Sequence, residues 1–272
     1  MHYQGGKYLI STDIASIISR GGGTTNQMRY QGGKSRIASD IALHVEGGVL
    51  LSRTLVSLFC GACNIEAKVK GYDRIVCNDN QPYLIALFKA LQNGYELPEV
   101  ITEEQYHYIK DHKDDDPALT GFVGFACSFG GKWFGGYARD QAQVNYALRG
   151  KRSLASKMKT LMDAEFLCLD YRDVQLPDGC VVYADPPYDN TTRYANKDFN
   201  TAQFWEYMRQ ISKDHVVYIS ELNAPDDFVC IWQKEIRRIL DVNKNNQFKS
   251  TEKLYVHKNN LEIIQNNACI IQ

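Results

Sequence analysis

The chain contains no apolar run of the roughly 18 residues that a membrane-spanning helix requires. Its opening, Met1 to Lys7, has no basic stretch followed by an apolar one. No signal peptide is therefore expected, and the expected location is cytoplasmic, with no membrane partner. Net charge is nearly absent, −1 over 272 residues, so the chain as a whole is no polyanion binder. A second pair of zinc ligands is missing as well. Of eight cysteines only Cys60 and Cys63 form a C-x-x-C, so no metal is expected. Cys77, Cys180 and Cys230 lie inside apolar runs, as buried thiols do in a reducing compartment. The G-x-G-x-x-G of dinucleotide sites is reduced to Gly61 alone, which excludes NAD. Gly33-Lys34-Ser35 would end a P-loop, but Met28 stands where its first glycine is needed and no aliphatic strand precedes it. A nucleotide triphosphatase is excluded too.

What is present is ordinary globular material, 44% hydrophobic and 23% charged, enough for one large domain or two small ones. An internal repeat opens the chain. Residues 1–15, MHYQGGKYLISTDIA, and 28–42, MRYQGGKSRIASDIA, are identical at ten of fifteen positions, and a glycine-rich linker separates them. Two copies are too few for a solenoid and mark a local duplication. Residues 1–27 are thus the first Gly-Gly-Lys segment with its linker. The second copy leads into an amphipathic helix pattern at Ile37, Ile41 and Val45.

From there the pattern predicts an α/β sheet. Strands are expected at Leu55–Phe59, Arg74–Cys77, Glu165–Asp170, Cys180–Ala184 and Val216–Ser220, with short late ones at Ile236–Leu240 and Lys253–His257. Helices are expected from about Ile65, over Leu84–Leu91 and over Ala202–Ser212. Residues 93–160 break the rhythm and read as an insertion between the two parts, 28–92 and 161–272, of the main domain. Within it, Glu96–Ala118 carries eight acids against two lysines, and Ser128–Thr160 carries seven bases against one acid. The basic segment is either a phosphate-contacting surface or a solvated face that neutralises the acidic stretch.

Asp185-Pro186-Pro187-Tyr188 follows an apolar strand directly, where open α/β sheets bind ligands. Two prolines remove two backbone donors and leave stiff carbonyl acceptors. With the Asp185 carboxylate they form a ring of acceptors suited to an exocyclic amino group, and Tyr188 offers a face on which its base can stack.

This motif, with its surroundings, resembles the Dam-type (class α, D12-like) DNA adenine-N6 methyltransferases, with a phage or prophage origin as a further expectation. Tyr30-Gln31-Gly32-Gly33-Lys34 is similar to that family's aromatic–Gly-Gly-Lys motif, and Phe59-Cys60-Gly61-Ala62-Cys63 to its F-x-G-x-G methyl-donor loop. Asp79 falls where the family has its ribose-binding acid, and the order of motifs is that of the α class. Two departures stand out. Cys63 replaces the last glycine of the donor loop, and Ser57-Leu58 replaces a Glu-Pro.

The resemblance implies a Rossmann-like, seven-stranded, S-adenosylmethionine-dependent fold whose helical insertion reads the target. It implies transfer of methyl to N6 of adenine in duplex DNA by base flipping. Asp185, Pro186, Pro187 and Tyr188 are the expected catalytic residues. Tyr30, Lys34, Phe59, Gly61, Asp79, Asp170 and Asp185 are the expected cofactor contacts. Lys132, Trp133 and Arg139 are expected at the DNA, where Phe129, Phe134 or Tyr137 could also wedge or stack, while Phe122 and Phe125 read as core. Chain length favours the second Gly-Gly-Lys copy, since Lys34 lies 25 residues before Phe59 and Lys7 lies 52 before it. A monomer or weak dimer, with a cognate restriction enzyme as partner, completes the expectation. The open alternatives are cytosine-N4 methylation, RNA adenine methylation and a non-catalytic DNA-binding relative.

Overall fold

In the computed structural model, Met28 and residues 30–139, 143–187, 199–239 and 247–268 are described, excepting the side chains of 237–239, 247–249 and 265–268. The first Gly-Gly-Lys copy and Tyr188 therefore lie outside the described residues. The chain runs α1 (Ala38–Glu46), β1 (Thr54–Ser57), β2 (Arg74–Asn78), α2 (Pro82–Gln92), α3 (Glu103–Asp111), α4 (Pro117–Ala126) and α5 (Tyr146–Leu161). It continues through β3 (Glu165–Leu167), β4 (Val181–Ala184), α6 (Thr201–Ile211), β5 (Val216–Glu221), β6 (Phe228–Ile239), β7 (Gln247–His257) and α7 (Lys258–Ala268).

The described strands form one seven-stranded sheet in the order β3-β2-β1-β4-β5-β7-β6. β1 is parallel to both β2 and β4, and β4 is parallel to β5, whereas β7 runs antiparallel to β5 and to β6. β1 and β4 are neighbours in the sheet although more than a hundred residues separate them in the chain. The strand order reverses between them, which makes their carboxyl ends the topological switch point of the sheet. The central strands are mostly apolar because both faces are covered, and all four residues of β4 are buried.

The chain divides into two compact units. The first comprises the described residues up to Ala38, Gly61–Lys68 and Asp79–Cys168. In it, Pro82 opens α2 and a capping box of Thr102 with Gln105 opens α3. Asp116 caps α4 through the Leu119 N–H, and eight of that helix's ten residues are buried. Gly121 lets α4 approach α2 closely, since a Cβ there would meet the Tyr83 carbonyl oxygen at 2.1 Å. Phe88 of α2 stacks on Phe166 of β3 at 4.9 Å.

The second unit comprises Ser39–Cys60, Val69–Asn78 and the chain from Leu169 onward. Here α1 meets β6. Lys234 pairs with Asp40 at 2.7 Å, and the rings of Trp232 and His44 lie 6.0 Å apart.

Two sequence expectations need correction. Residues from Ile65 form successive turns rather than a helix. The turns begin at Gly61, and the carbonyls of Ala62 and Ala67 accept from the Lys157 and Thr160 side chains of α5. The late strands are also long rather than short. β6 and β7 pair from Phe228↔His257 to Ile239↔Gln247. Gln233, Lys234 and Glu235 belong to the edge strand β6, which leaves one face to solvent and accommodates polar residues there.

Gly121→Ala should destabilise the protein, because the collision is with backbone and cannot be relieved by a rotamer change. A loss of about 1–3 kcal/mol and a melting temperature lower by roughly 2–12 °C are expected in a thermal scan.

Candidate active site

In the second unit, the carboxyl ends of β1 and β4 lie side by side. Ser57 pairs with Tyr183, and the Leu58 N–H donates to the Tyr183 carbonyl at 2.9 Å. Phe59 and Asp185 follow two residues beyond this last pair. The chain leaves the sheet at Asp185-Pro186-Pro187, with Pro186 buried and its two neighbours partly exposed. Neither proline has an N–H, so the strand's ladder cannot continue through them. The Phe59 ring packs against Tyr171 at 5.1 Å, Phe204 at 6.0 Å and Phe199 at 6.1 Å.

Asn78, which sequence reasoning passed over, ties this corner together. Its side-chain NH2 donates to the carbonyls of Leu58 at 3.0 Å and Leu169 at 3.1 Å, and its Oδ1 accepts from the Leu169 N–H at 3.0 Å. A polar side chain closing an otherwise apolar strand was the available signal. Asp170, an expected cofactor contact, has both carboxylate oxygens engaged by the Arg172 guanidinium, at 2.7 and 3.0 Å. That fork holds its carboxyl below the usual carboxylate range.

In the first unit, the donor loop begins at Gly61, which adopts φ +47°. Its N–H donates to Asp79 Oδ2 at 2.8 Å, and Asp79 Oδ1 accepts from the Gln81 N–H at 3.0 Å. Asp79 is buried, and loss of hydration pushes its pKa up to about 6 although the backbone N–H groups of Gly61, Gln81 and Asn80 oppose the rise. With three backbone donors on about four acceptor positions, the carboxylate retains room for a further donor.

Cys63 is fully buried and also takes a positive φ, 50°. The residue that departs from the glycine pattern therefore occupies the conformation that favours glycine, at a cost of about 1–2 kcal/mol.

The Gly-Gly-Lys loop lies against this donor loop. A Cβ on Gly61 would stand 3.0 Å from Tyr30 Cε1, and one on Gly33 would stand 3.0 Å from Asn64 Nδ2. Gly32 adopts φ +80°, and the Gly33 N–H closes the turn onto the Tyr30 carbonyl at 2.9 Å. Both glycines are thus required, one for backbone conformation and one for close approach. Lys34 is buried in the same loop, and the Gln31 N–H donates to the Gly131 carbonyl at 2.9 Å.

The structure thus brings Tyr30, Lys34, Gly61 and Asp79 together in one unit, and Phe59 and Asp185 in the other. Of the residues expected at DNA, Trp133 is half-buried among Phe125 and Phe134, both at 4.8 Å, and stacks on Tyr83 at 5.5 Å. Lys132 is half-exposed, and Arg139 is exposed and paired with Glu103. Among the described residues there is no group of three His, Cys, Asp or Glu side chains that could hold a metal, and no helix is long and apolar enough to cross a membrane.

Solved structures of similar fold include a protein of Pyrococcus horikoshii provisionally described as an RNA methyltransferase, with 10% identity, 91% of this chain and 96% of that chain covered, and a TM-score of 0.41. A conserved hypothetical protein of Streptococcus pyogenes matches with 11% identity, 76% and 86% coverage and a TM-score of 0.31. A provisionally described methyltransferase complexed with SAH matches with 10% identity, 86% and 55% coverage and a TM-score of 0.33. At such scores no conclusion rests on these likenesses. The model of the D12 class N6 adenine-specific DNA methyltransferases, by contrast, matches residues 30–123 and 134–264. Those spans include the Tyr30–Lys34 loop, the donor loop, Asp79 and the Asp185 turn. The chain belongs to the D12 class N6 adenine-specific DNA methyltransferases, which take their methyl group from S-adenosylmethionine.

Proposed function

We infer that this chain methylates N6 of adenine in duplex DNA after flipping the base out of the stack, with Asp185, the two prolines and Tyr188 receiving it. The observation that carries the reading is the end of β4, where an apolar strand stops at an acid and two donor-less residues beside Phe59. A flipped adenine costs a few kcal/mol of lost stacking and pairing, offset by stacking on Tyr188 and hydrogen bonds in the pocket. The N6 amino group donates to the Asp185 carboxylate and to the Pro186 carbonyl. That orientation frees the nitrogen lone pair for in-line attack on the methyl carbon. The N–C bond forms as the S–C bond breaks. The bonding pair leaves with the thioether sulfur, and the surplus amino proton departs through Asp185. The methyl group arrives already activated on a sulfonium, so the protein's contribution is mainly positioning.

Asp79 accepts from the donor's ribose hydroxyls while it holds Gly61, with Phe59 and Gly61 shaping the donor loop. Asp170 is a weaker candidate for a donor contact because Arg172 already occupies its oxygens. The second Gly-Gly-Lys copy is the working one in this reading, supported by the contacts of Tyr30 and Gly33 with the donor loop. Target reading is assigned to the insertion at 93–160. Phe129 is 54% exposed and is flanked by Gly130 and Gly131 at φ +65° and +68°, so it suits a wedge between base pairs better than the packed Trp133 does. Lys132 and Arg139 contact phosphates, Arg139 exchanging the Glu103 carboxylate for one. A cytoplasmic monomer or weak dimer, serving beside a restriction nuclease of the same specificity, fits the same reading.

Asp185→Ala should abolish methyl transfer while DNA binding persists. Mass spectrometry of DNA digested after reaction with the unaltered protein should detect N6-methyladenine and no N4-methylcytosine. Near-normal turnover by the variant, or the cytosine product, would overturn the assignment.

Donor binding should depend on the ionisation of Asp79. A hydroxyl donates to the carboxylate and gains less from the neutral acid, so affinity should be full above pH 6 and should weaken as pH falls below about 6. One proton is taken up per site, and calorimetry should show the dissociation constant rising about tenfold per pH unit below that point. The stability of the donor-free protein should move the other way. A carboxyl whose pKa is raised on folding stabilises below its unfolded value of 3.8 and loses that contribution as pH rises through about 6.

Neutralising Lys132 and Arg139 together should flatten the salt dependence of DNA binding, each lost phosphate contact removing about 0.9 from the log–log slope. Donor affinity should be unaffected. An unchanged slope would mean that these bases only balance the acidic stretch.

A further inference from the structure

We propose that Lys157 is a positioning residue for the methyl donor, reaching from helix α5 of the insertion to set the shape of the donor loop. This rests on the reading of residues 59–64 as that loop. Lys157 lies beside the buried face of α5, whose Leu154, Met158 and Leu161 anchor the helix in the first unit. Its ammonium donates to the carbonyl of Ala62, the residue between the two positive-φ positions of the loop. One turn further along the same flank, Thr160 Oγ1 donates to the Ala67 carbonyl at 3.2 Å. Two side chains three residues apart on one helix thus hold two carbonyls of a segment that forms turns and no helix.

The loop is gripped on two peptides, 60–61 and 62–63, by groups from different elements. The Gly61 N–H is held by Asp79, just beyond β2, and the Ala62 carbonyl by Lys157 of α5. Directly after them Cys63 is kept in a conformation that a non-glycine residue disfavours. A strained turn persists only where its surroundings over-determine it, and a cation on the carbonyl is such a constraint. The same cation polarises the 62–63 peptide and makes the Cys63 N–H a stronger donor. The loop's acceptor is thereby taken by the protein, and its donor is strengthened on the side where an anionic group of the ligand is to be bound. No charge pattern along the chain distinguishes Lys157 from the other bases of the segment. Its partner is 95 residues away.

The test uses the full chain with Lys157→Met, which keeps most of the stem, and with Lys157→Gln as a milder variant in case the first does not fold. Lys157→Arg restores the charge. The dissociation constant and KM for S-adenosylmethionine should rise at least tenfold in the uncharged variants. The rate at saturating donor should stay within about threefold, KM for DNA should not move, and Lys157→Arg should recover most of the affinity. A donor affinity within twofold of the unaltered protein overturns the proposal. So does a loss matched by KM for DNA and not recovered by arginine, since that pattern marks a purely structural role. Asp79→Ala separates the two layers. If it binds the donor normally, the donor-loop reading falls. If it loses the donor while Lys157→Met does not, only the role of Lys157 falls.

Discussion

The Asp79 carboxylate, buried at the end of β2, receives the N–H of Gly61 at 2.8 Å and that of Gln81 at 3.0 Å. Burying a carboxylate is unfavourable, and the raised pKa of about 6 records that cost. Backbone donors offset part of it without supplying a countercharge, so the group stays poised to accept further hydrogen bonds. The first turn of the donor loop is fixed through this contact. The approach of Tyr30 to Gly61 and of Gly33 to Asn64 then follows, because both require the loop backbone to lie where Asp79 puts it. A loop without this anchor would offer no defined seat for the Gly-Gly-Lys turn.

Glycine and proline divide the work at the remaining corners. Gly32 and Gly61 supply positive φ, Gly33 supplies close approach, and Pro186 and Pro187 remove donors where acceptors are wanted. Cys63 is the exception, a side chain in a glycine-like conformation, buried completely. Apolar packing of its thiol repays part of the backbone cost. The polar clamp formed by Asn78 does the corresponding work in the second unit, joining the end of β1 to the chain after β3 with three hydrogen bonds.

The charge asymmetry of the insertion resolves into two kinds of base. Lys151 lies 3.4 Å from Glu99 and 3.8 Å from Glu96, and Arg139 pairs with Glu103. So the acidic stretch is in part neutralised by the basic one, as the plainer reading of the charges had it. Lys157 instead donates to the Ala62 carbonyl. The acids of these pairs are largely exposed and such pairs contribute little to stability, which leaves Arg139 in particular able to change partners at small cost.

The sequence by itself determined the repeat, the apolar cores of β1, β2, β4 and β5, and the placement of Asp185-Pro186-Pro187 at a strand end. These follow from local composition and from turn chemistry, in which residues act through their own backbone. The family was legible for the same reason, because its motifs are short and contiguous. Tertiary structure alone decided the turns after Ile65, the length of the β6–β7 hairpin, the left-handed Cys63 and the capture of Asp170 by Arg172. It also decided the hydrogen bonds of Asn78 to Leu169 and of Lys157 to Ala62, 91 and 95 residues away. A carbonyl taken by a distant side chain is lost to the local helix, and nothing within a window of neighbouring residues records that competition.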